Sequence, residues 1–283
     1  MLRRGVLRVA TCQFPMGGSI HRNRRHVRRQ MLEARRRRAD LAHFSECALS
    51  GYPGVDLPSL RGFDWAGLEE ETRAICALAA KLKLWVVLGS SHRLSGGHKP
   101  HNCLYLIDPR GRILDRYDKR FCTGGDLKHY SPGDHFVTFT ANGVKCGLLI
   151  CYDLRFPELY REYKKLGVQL MLHSFHNAHG KKRGIWADIM VPTLKGHAGI
   201  NYMWVSANNS SAWYQQWPSV FIRPDGVIAA RLTQHRGGVT VNTVDTRRKL
   251  YDASKAWRDR AMRGMLHSGT LVRDPRSRNR RTL

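Results

Sequence analysis

The sequence predicts an α/β protein in which two sheets pack face to face with helices outside. Three observations carry that expectation. Apolar segments of strand length alternate with longer segments whose apolar positions follow the helical period. A unit of helix, strand and hairpin occurs twice, first from Trp65 through Gly111 and again from Ile185 through Gly226, which gives the chain an internal pseudo-twofold repeat. Repeated units of this kind bury their apolar faces by stacking two sheets with the helices on the outer surfaces. Finally, the apolar run Val144 to Ile150 changes character within one residue, to Cys151-Tyr152-Asp153 and then Pro157. That is the pattern of a strand that turns sharply into a helix.

The elements follow in order. Leu7 to Phe14 alternates as a strand, and Asn23 to Arg38 suits a helix with Val27, Met31 and Ala34 on its apolar side. Ala39 to Phe44 reads as a short buried strand, followed by the loop S-E-C-A-L-S-G-Y-P-G. Trp65 to Leu82 is a helix and Leu84 to Gly89 a strand. Two alternating runs around D-P-R-G form a hairpin. After Cys151 come a strand from Val168 to Leu172, a helix from Ile185 to Gly199, a strand with Trp204, a second hairpin around P-D-G, and a last strand from Gly238 to Val244. We expect one domain over residues 1–270 and a basic, disordered tail over 271–283.

Composition narrows the classes. With 283 residues and 42% hydrophobic content the chain can bury a sizeable core. No apolar run approaches the roughly 20 residues of a membrane span. Arg8 and Gln13 interrupt any signal-peptide core near the N-terminus, so a cytoplasmic protein is expected. Seven cysteines, an odd number without a C-x-x-C pair, argue against a disulfide framework or zinc ribbon. The net charge of +26 raises the question of an anionic partner. The arginine clusters, between His21 and Arg38 and at the C-terminus, lack the interleaved aromatic residues of a stacking platform. They read as a solvated helix face and a frayed tail, so nucleic acid is not an expected partner, nor is a membrane.

Three residues stand just beyond strand ends: Glu46, Lys119 and Cys151. For a cysteine alone, burial in the core is the competing reading. A carboxylate, an ammonium and a thiol at one sheet rim nonetheless make a device for acyl transfer. The carboxylate can take the thiol proton, the ammonium can lower the thiol pKa and hold an oxyanion, and the thiol can attack a carbonyl or nitrile carbon.

The segments F-S-E-C-A-L-S-G-Y-P, Y-D-K-R-F-C and C-G-L-L-I-C-Y-D-L-R-F-P-E resemble the three signature blocks of the nitrilase (carbon–nitrogen hydrolase) superfamily, in the family's order. The resemblance covers roughly Leu7 to Asp245. It implies a four-layer α-β-β-α sandwich. It also implies that Glu46 is the general base and acid, Lys119 an oxyanion holder and Cys151 the nucleophile that becomes a thioester. The Tyr152 backbone N–H would complete the oxyanion hole. Many members carry a further glutamate before the P-G that follows the lysine; here Asp126 is the nearest acidic residue, on a shorter arm. By the same resemblance Ser174, Phe175, His176 and Asn177 would line the substrate pocket, with Tyr52 at its mouth. Arg155 and Glu158 are expected to brace the turn or a subunit contact, and the other six cysteines to be structural.

The expected function is hydrolysis of a non-peptide C–N bond in a linear amide or an N-carbamoyl compound, without a metal or other cofactor. The charge leaves open a carboxylate-bearing, anionic substrate. Nitrile cleavage by the same triad is the alternative, and a basic nucleic-acid-binding protein with a vestigial site is the contrasting class. The resemblance implies a homodimer or larger homo-oligomer.

Overall fold

The computed structural model describes residues 4–177 and 183–281. Residues 1–3 of the basic N-terminal segment and 282–283 of the expected tail lie outside the described residues. The strands are β1 (Val6–Gln13), β2 (Leu41–His43), β3 (Trp85–His92), β4 (His101–Ile107), β5 (Ile113–Asp118), β6 (Thr138–Ala141), β7 (Val144–Ile150), β8 (Leu170–Ser174), β9 (Trp204–Asn208), β10 (Val220–Ile222), β11 (Ile228–Arg231) and β12 (Gly238–Asp245). The helices are α1 (Ile20–Arg36), α2 (Trp65–Leu82), α3 (Pro157–Lys165), α4 (Trp186–Asn201), α5 (Arg258–Met262) and α6 (Pro275–Arg278).

The strands form two six-stranded mixed sheets, in the orders β12-β1-β2-β3-β4-β5 and β11-β10-β9-β8-β7-β6. In each, three central strands run parallel and a hairpin continues antiparallel: β1, β2, β3 with β4–β5, and β7, β8, β9 with β10–β11. The repeat seen in the sequence is thus a repeat of sheet topology. Each sheet is also closed by an antiparallel strand on its first member, β12 on β1 and β6 on β7. β6 was not anticipated from the sequence.

Period-two alternation explains the layers. On β1, Leu7 and Val9 pack into the core shared with the second sheet. Ala10 and Cys12 face the other way, under Val27, Met31 and Ala34 of α1 and Ile75 and Ala79 of α2. In the second half, Tyr160 and Tyr163 of α3 and Leu194 and Ala198 of α4 pack with the buried residues of β7 to β9. The result is the expected α-β-β-α sandwich. Residues up to 252 make one compact unit, and residues from 253 make a separate small one that contains α5 and α6. No helix among the described residues is long and apolar enough to cross a membrane.

A polar seam crosses the space between the sheets. Thr11 Oγ1 lies 2.9 Å from Ser206 Oγ, which lies 2.9 Å from His43 Nδ1. On its other side, His43 Nε2 is 2.9 Å from Ser174 Oγ, and that hydroxyl donates to the Phe44 carbonyl at 2.8 Å. Because Ser174 spends its proton on Phe44, its oxygen accepts from His43 Nε2–H. Burial pushes the His43 pKa down from 6.5 to about 3. The unfolded chain binds this proton below about 6.5 and the folded chain does not, so stability is lost as pH falls through that window. His43→Gln should reduce the pH slope of the unfolding free energy by up to about 1.4 kcal/mol per pH unit between pH 4 and 6, read by urea titration. Identical slopes in the two proteins would refute this.

Candidate active site

Cys151 begins a short 3-10 turn, Cys151–Arg155, directly after β7. Its φ of +44° lies in the left-handed region, which costs a side-chain-bearing residue energy and marks a sharp elbow. Pro157 then opens α3 at a position where its missing N–H costs nothing. Buried Asp153 braces the elbow. It accepts from Ile150 N–H at 3.0 Å, from Phe121 N–H at 2.9 Å and from the Tyr117 hydroxyl at 2.8 Å. One carboxylate thus ties the cysteine turn to the segment after Lys119. Burial raises the Asp153 pKa to about 6, against these three donors.

Glu46 lies past the end of β2, fully buried. Its loop lies so close to β3 that a Cβ at Gly89 would sit 1.9 Å from the Ser45 carbonyl oxygen, so only glycine fits there. Three donors fix the carboxylate: Lys119 Nζ at 2.8 Å and Asn102 Nδ2 at 2.7 Å on Oε1, and His176 N–H at 2.8 Å on Oε2. Lys119 is also fully buried, and its ammonium reaches a second carboxylate, Asp126 Oδ2, at 2.8 Å. The 3-10 turn Asp126–Lys128 brings that short side chain inward, where it also accepts from Thr123 N–H at 2.8 Å and from the Tyr52 hydroxyl.

The electrostatics follow from burial and pairing. Burial alone would push Lys119 down, but Glu46 and Asp126 outweigh it and hold the ammonium well above its ordinary pKa. Burial, the Glu46 charge and a hydrogen bond to Glu46 raise the Cys151 thiol well above its usual range; Lys119 opposes them only in part. The sequence led us to expect a thiol pKa lowered by the ammonium. The net direction is upward, because burial and the Glu46 and Asp126 carboxylates together outweigh Lys119. The resting group is a thiol.

Lys119, Cys151 and Tyr152 line a cavity of about 260 Å³ together with Tyr52, His176 and Asn177. Trp186 and Met190 of α4 supply an apolar wall. Arg155 stands at the rim with its guanidinium 5.4 Å from the Trp186 ring centre. Ser174 and Phe175 are elsewhere. β8 runs two residues further than expected, so Ser174 is still a strand residue and points into the seam between the sheets. Phe175 is buried against His173 and Trp217, and serves the site only through its carbonyl, which accepts Glu46 N–H at 3.3 Å. Among the described residues no group of three or more His, Cys, Asp or Glu is arranged to hold a metal ion.

Residues 8–251 match the family model for carbon-nitrogen hydrolases. The chain belongs to the carbon-nitrogen hydrolase family. Nitrilase homolog 2 of Dictyostelium discoideum is 24% identical over 86% of this chain and 78% of its own length. The glutamine-dependent NAD(+) synthetase of Acinetobacter baylyi is 28% identical over 58% of this chain but only 30% of its own length. This chain therefore corresponds to less than a third of that relative. A mutant amidase of Nesterenkonia from the nitrilase superfamily superposes with a TM-score of 0.77 at 20% identity, over 93% of this chain and 98% of that one.

This carbon-nitrogen hydrolase family member holds its site with residues that no motif announced. Asn102 on β4 donates its amide to Glu46, and its backbone carbonyl accepts Lys119 N–H at 2.9 Å. It therefore aligns two of the three groups at once. Its sequence signal is an asparagine at the head of an apolar strand, which is a weak one. Cys47 is fully buried with its thiol on Asn102 Oδ1 and the Tyr130 hydroxyl, and burial raises its pKa. Asn102→Ala strips one donor from a buried carboxylate oxygen. It should destabilise the protein by about 1–3 kcal/mol in urea unfolding; an unchanged midpoint would show that Glu46 does not depend on it.

Proposed function

We propose that the protein hydrolyses the C–N bond of a short amide through a Glu46–Lys119–Cys151 triad. The observation that carries this reading is an ammonium and an elbow thiol on one small cavity, with the buried Glu46 carboxylate 2.8 Å behind the ammonium. As Cys151 Sγ attacks the carbonyl carbon, its proton passes to Glu46, and negative charge gathers on the carbonyl oxygen. The Lys119 ammonium and the Tyr152 backbone N–H receive that oxygen. Glu46 then returns the proton to the leaving nitrogen, the C–N bond breaks, and a thioester remains on Cys151. A water loses its proton to Glu46, attacks the thioester carbon and releases the acid, and the sulfur leaves as thiolate and is reprotonated. Asp126 holds Lys119 charged and in place throughout.

The high thiol pKa fits this order of events. A thiol that ionises only when its proton can move to Glu46 avoids reaction with adventitious electrophiles. The synthetase relative is glutamine-dependent and the structural neighbour is an amidase, which favours an amide over a nitrile. N-carbamoyl compounds present the same carbonyl and nitrogen and stay within the reading. A cavity of about 260 Å³ lies just below the usual range of ligand sites, roughly 300 to 1,000 Å³, and suits a small substrate. Arg155 at its rim supports a substrate that ends in a carboxylate.

Cys151→Ala should abolish ammonia release from a panel of short amides, carbamoyl amino acids and nitriles while the fold survives. Mass spectrometry of the wild type with a slow substrate should find the acyl group on Cys151. Undiminished turnover in the alanine variant would sink the proposal. Arg155→Ala should raise KM about tenfold or more for a carboxylate-bearing amide and leave a neutral amide of equal length unchanged, as loss of a charge-assisted contact requires. An equal effect on both substrates would remove the anionic version alone.

A further inference from the structure

We infer that Asp56 and His176 form a positioning link that closes a ring of polar contacts around the cavity and thereby holds Glu46 and Lys119 in register with Cys151. The ring can be followed atom by atom. Glu46 Oε1 is 2.8 Å from Lys119 Nζ, and Lys119 Nζ is 2.8 Å from Asp126 Oδ2. The other Asp126 oxygen accepts the Tyr52 hydroxyl. Tyr52 N–H donates to Asp56 Oδ2 at 2.9 Å, and that oxygen lies 3.3 Å from His176 Nε2. The backbone N–H of His176 returns to Glu46 Oε2 at 2.8 Å. The loops after β2, β5 and β8 are joined in this way, and they come from both sheets.

The chemistry of His176 separates positioning from catalysis. Gln215 Nε2 donates to its Nδ1 at 3.1 Å, so the ring proton sits on Nε2 and faces Asp56. Nδ1 is then engaged by Gln215, and Nε2 stands 3.3 Å from the Asp56 carboxylate. The two side chains are almost fully buried, at 0% and 2% exposure, so the pair is not a solvated surface contact. Tyr214 donates its hydroxyl to the second Asp56 oxygen, and the Tyr52 ring lies 5.0 Å from the imidazole. These neighbours fix the link from both ends. Burial would raise the Asp56 pKa, but the His176 and Tyr214 hydrogen bonds hold it below its ordinary value, so the acceptor stays charged.

A histidine here does what a smaller residue could not. Its backbone holds the base, and its side chain spans to the loop that carries Tyr52. Without the side chain the N–H to Glu46 remains, but nothing secures its position against the Tyr52 loop. Tyr52 in turn is the anchor of Asp126, and Asp126 of Lys119. Removing either member should therefore disturb the reacting groups.

The inference rests on the triad reading, and two measurements keep them apart: kcat and KM on propionamide, and the rate of Cys151 alkylation by iodoacetamide followed by mass spectrometry. His176→Ala and Asp56→Asn should each lower kcat and the alkylation rate by roughly ten- to a hundredfold, the scale of a misplaced catalytic group, with KM little changed. The double variant should be no slower than the slower single one, because both remove the same link. His176→Gln, whose amide can still donate to Asp56, should recover most of the rate. If the alanine variant does not fold, His176→Gln and Asp56→Asn carry the test, with Asp56→Asn slow and His176→Gln fast. Losses that multiply in the double variant would overturn the inference. So would a raised KM at constant kcat, or alkylation as fast as in the wild type. A wild type that leaves propionamide untouched, yet is alkylated faster than both single variants, would count against the amidase reading and for the ring.

Discussion

Lys119 sits in a dry site with its ammonium 2.8 Å from two carboxylates, Glu46 and Asp126. Three charged groups out of water are costly, and a buried ion cluster persists only where its remaining lone pairs are also satisfied. Much of the local structure meets that requirement. Asn102 and the His176 N–H complete Glu46, and Thr123 N–H and the Tyr52 hydroxyl complete Asp126. The thiol is the neutral member, raised by burial and by the carboxylate beside it.

The two-sheet architecture is what lets those groups meet. Glu46 and Lys119 come from loops of the first sheet, Cys151 and His176 from loops of the second. Their mutual geometry depends on how the sheets are registered, and an apolar interface alone is permissive about sliding. The seam through Thr11, Ser206, His43 and Ser174 is directional, so it fixes the register where apolar packing cannot. Asn208 adds to it, donating to the Cys12 carbonyl at 3.0 Å and to the His43 carbonyl. The large net charge plays no part in this interior. Arg22, Arg25, Arg28 and Arg29 are exposed on α1, Arg24 pairs with Glu71 at 2.8 Å, and Arg36 and Arg37 pair with Glu33.

Strand ends were the most legible feature of the chain. β7 begins and ends where its apolar run does; Lys119 and Cys151, just past β5 and β7, line the cavity, and Glu46 in the loop after β2 pairs with Lys119. The hairpins and the repeat were equally visible, since turn chemistry and period-two alternation are local. The wall of the cavity was harder. Ser174 and Phe175 were expected there and are not, because β8 extends to Ser174 through a histidine and a serine that look like loop residues. Those two polar residues are tolerated in a buried strand because each finds a partner on another element: Tyr160 for His173, and His43 for Ser174.

The amino-acid sequence by itself determined most of the elements and their order, the twofold repeat and the candidacy of Glu46, Lys119 and Cys151. Those are consequences of local periodicity, turn residues and short motifs, which act over a few residues. Only the tertiary structure decided that Asp126 reaches Lys119, that Asn102 serves both Glu46 and Lys119, that Asp153 ties two turns together, and that Asp56 meets His176. The separations run from seven residues for Lys119 and Asp126 to 120 for Asp56 and His176. Their meeting is set by which sheet each strand joins and how the two sheets are registered, and no local pattern encodes that.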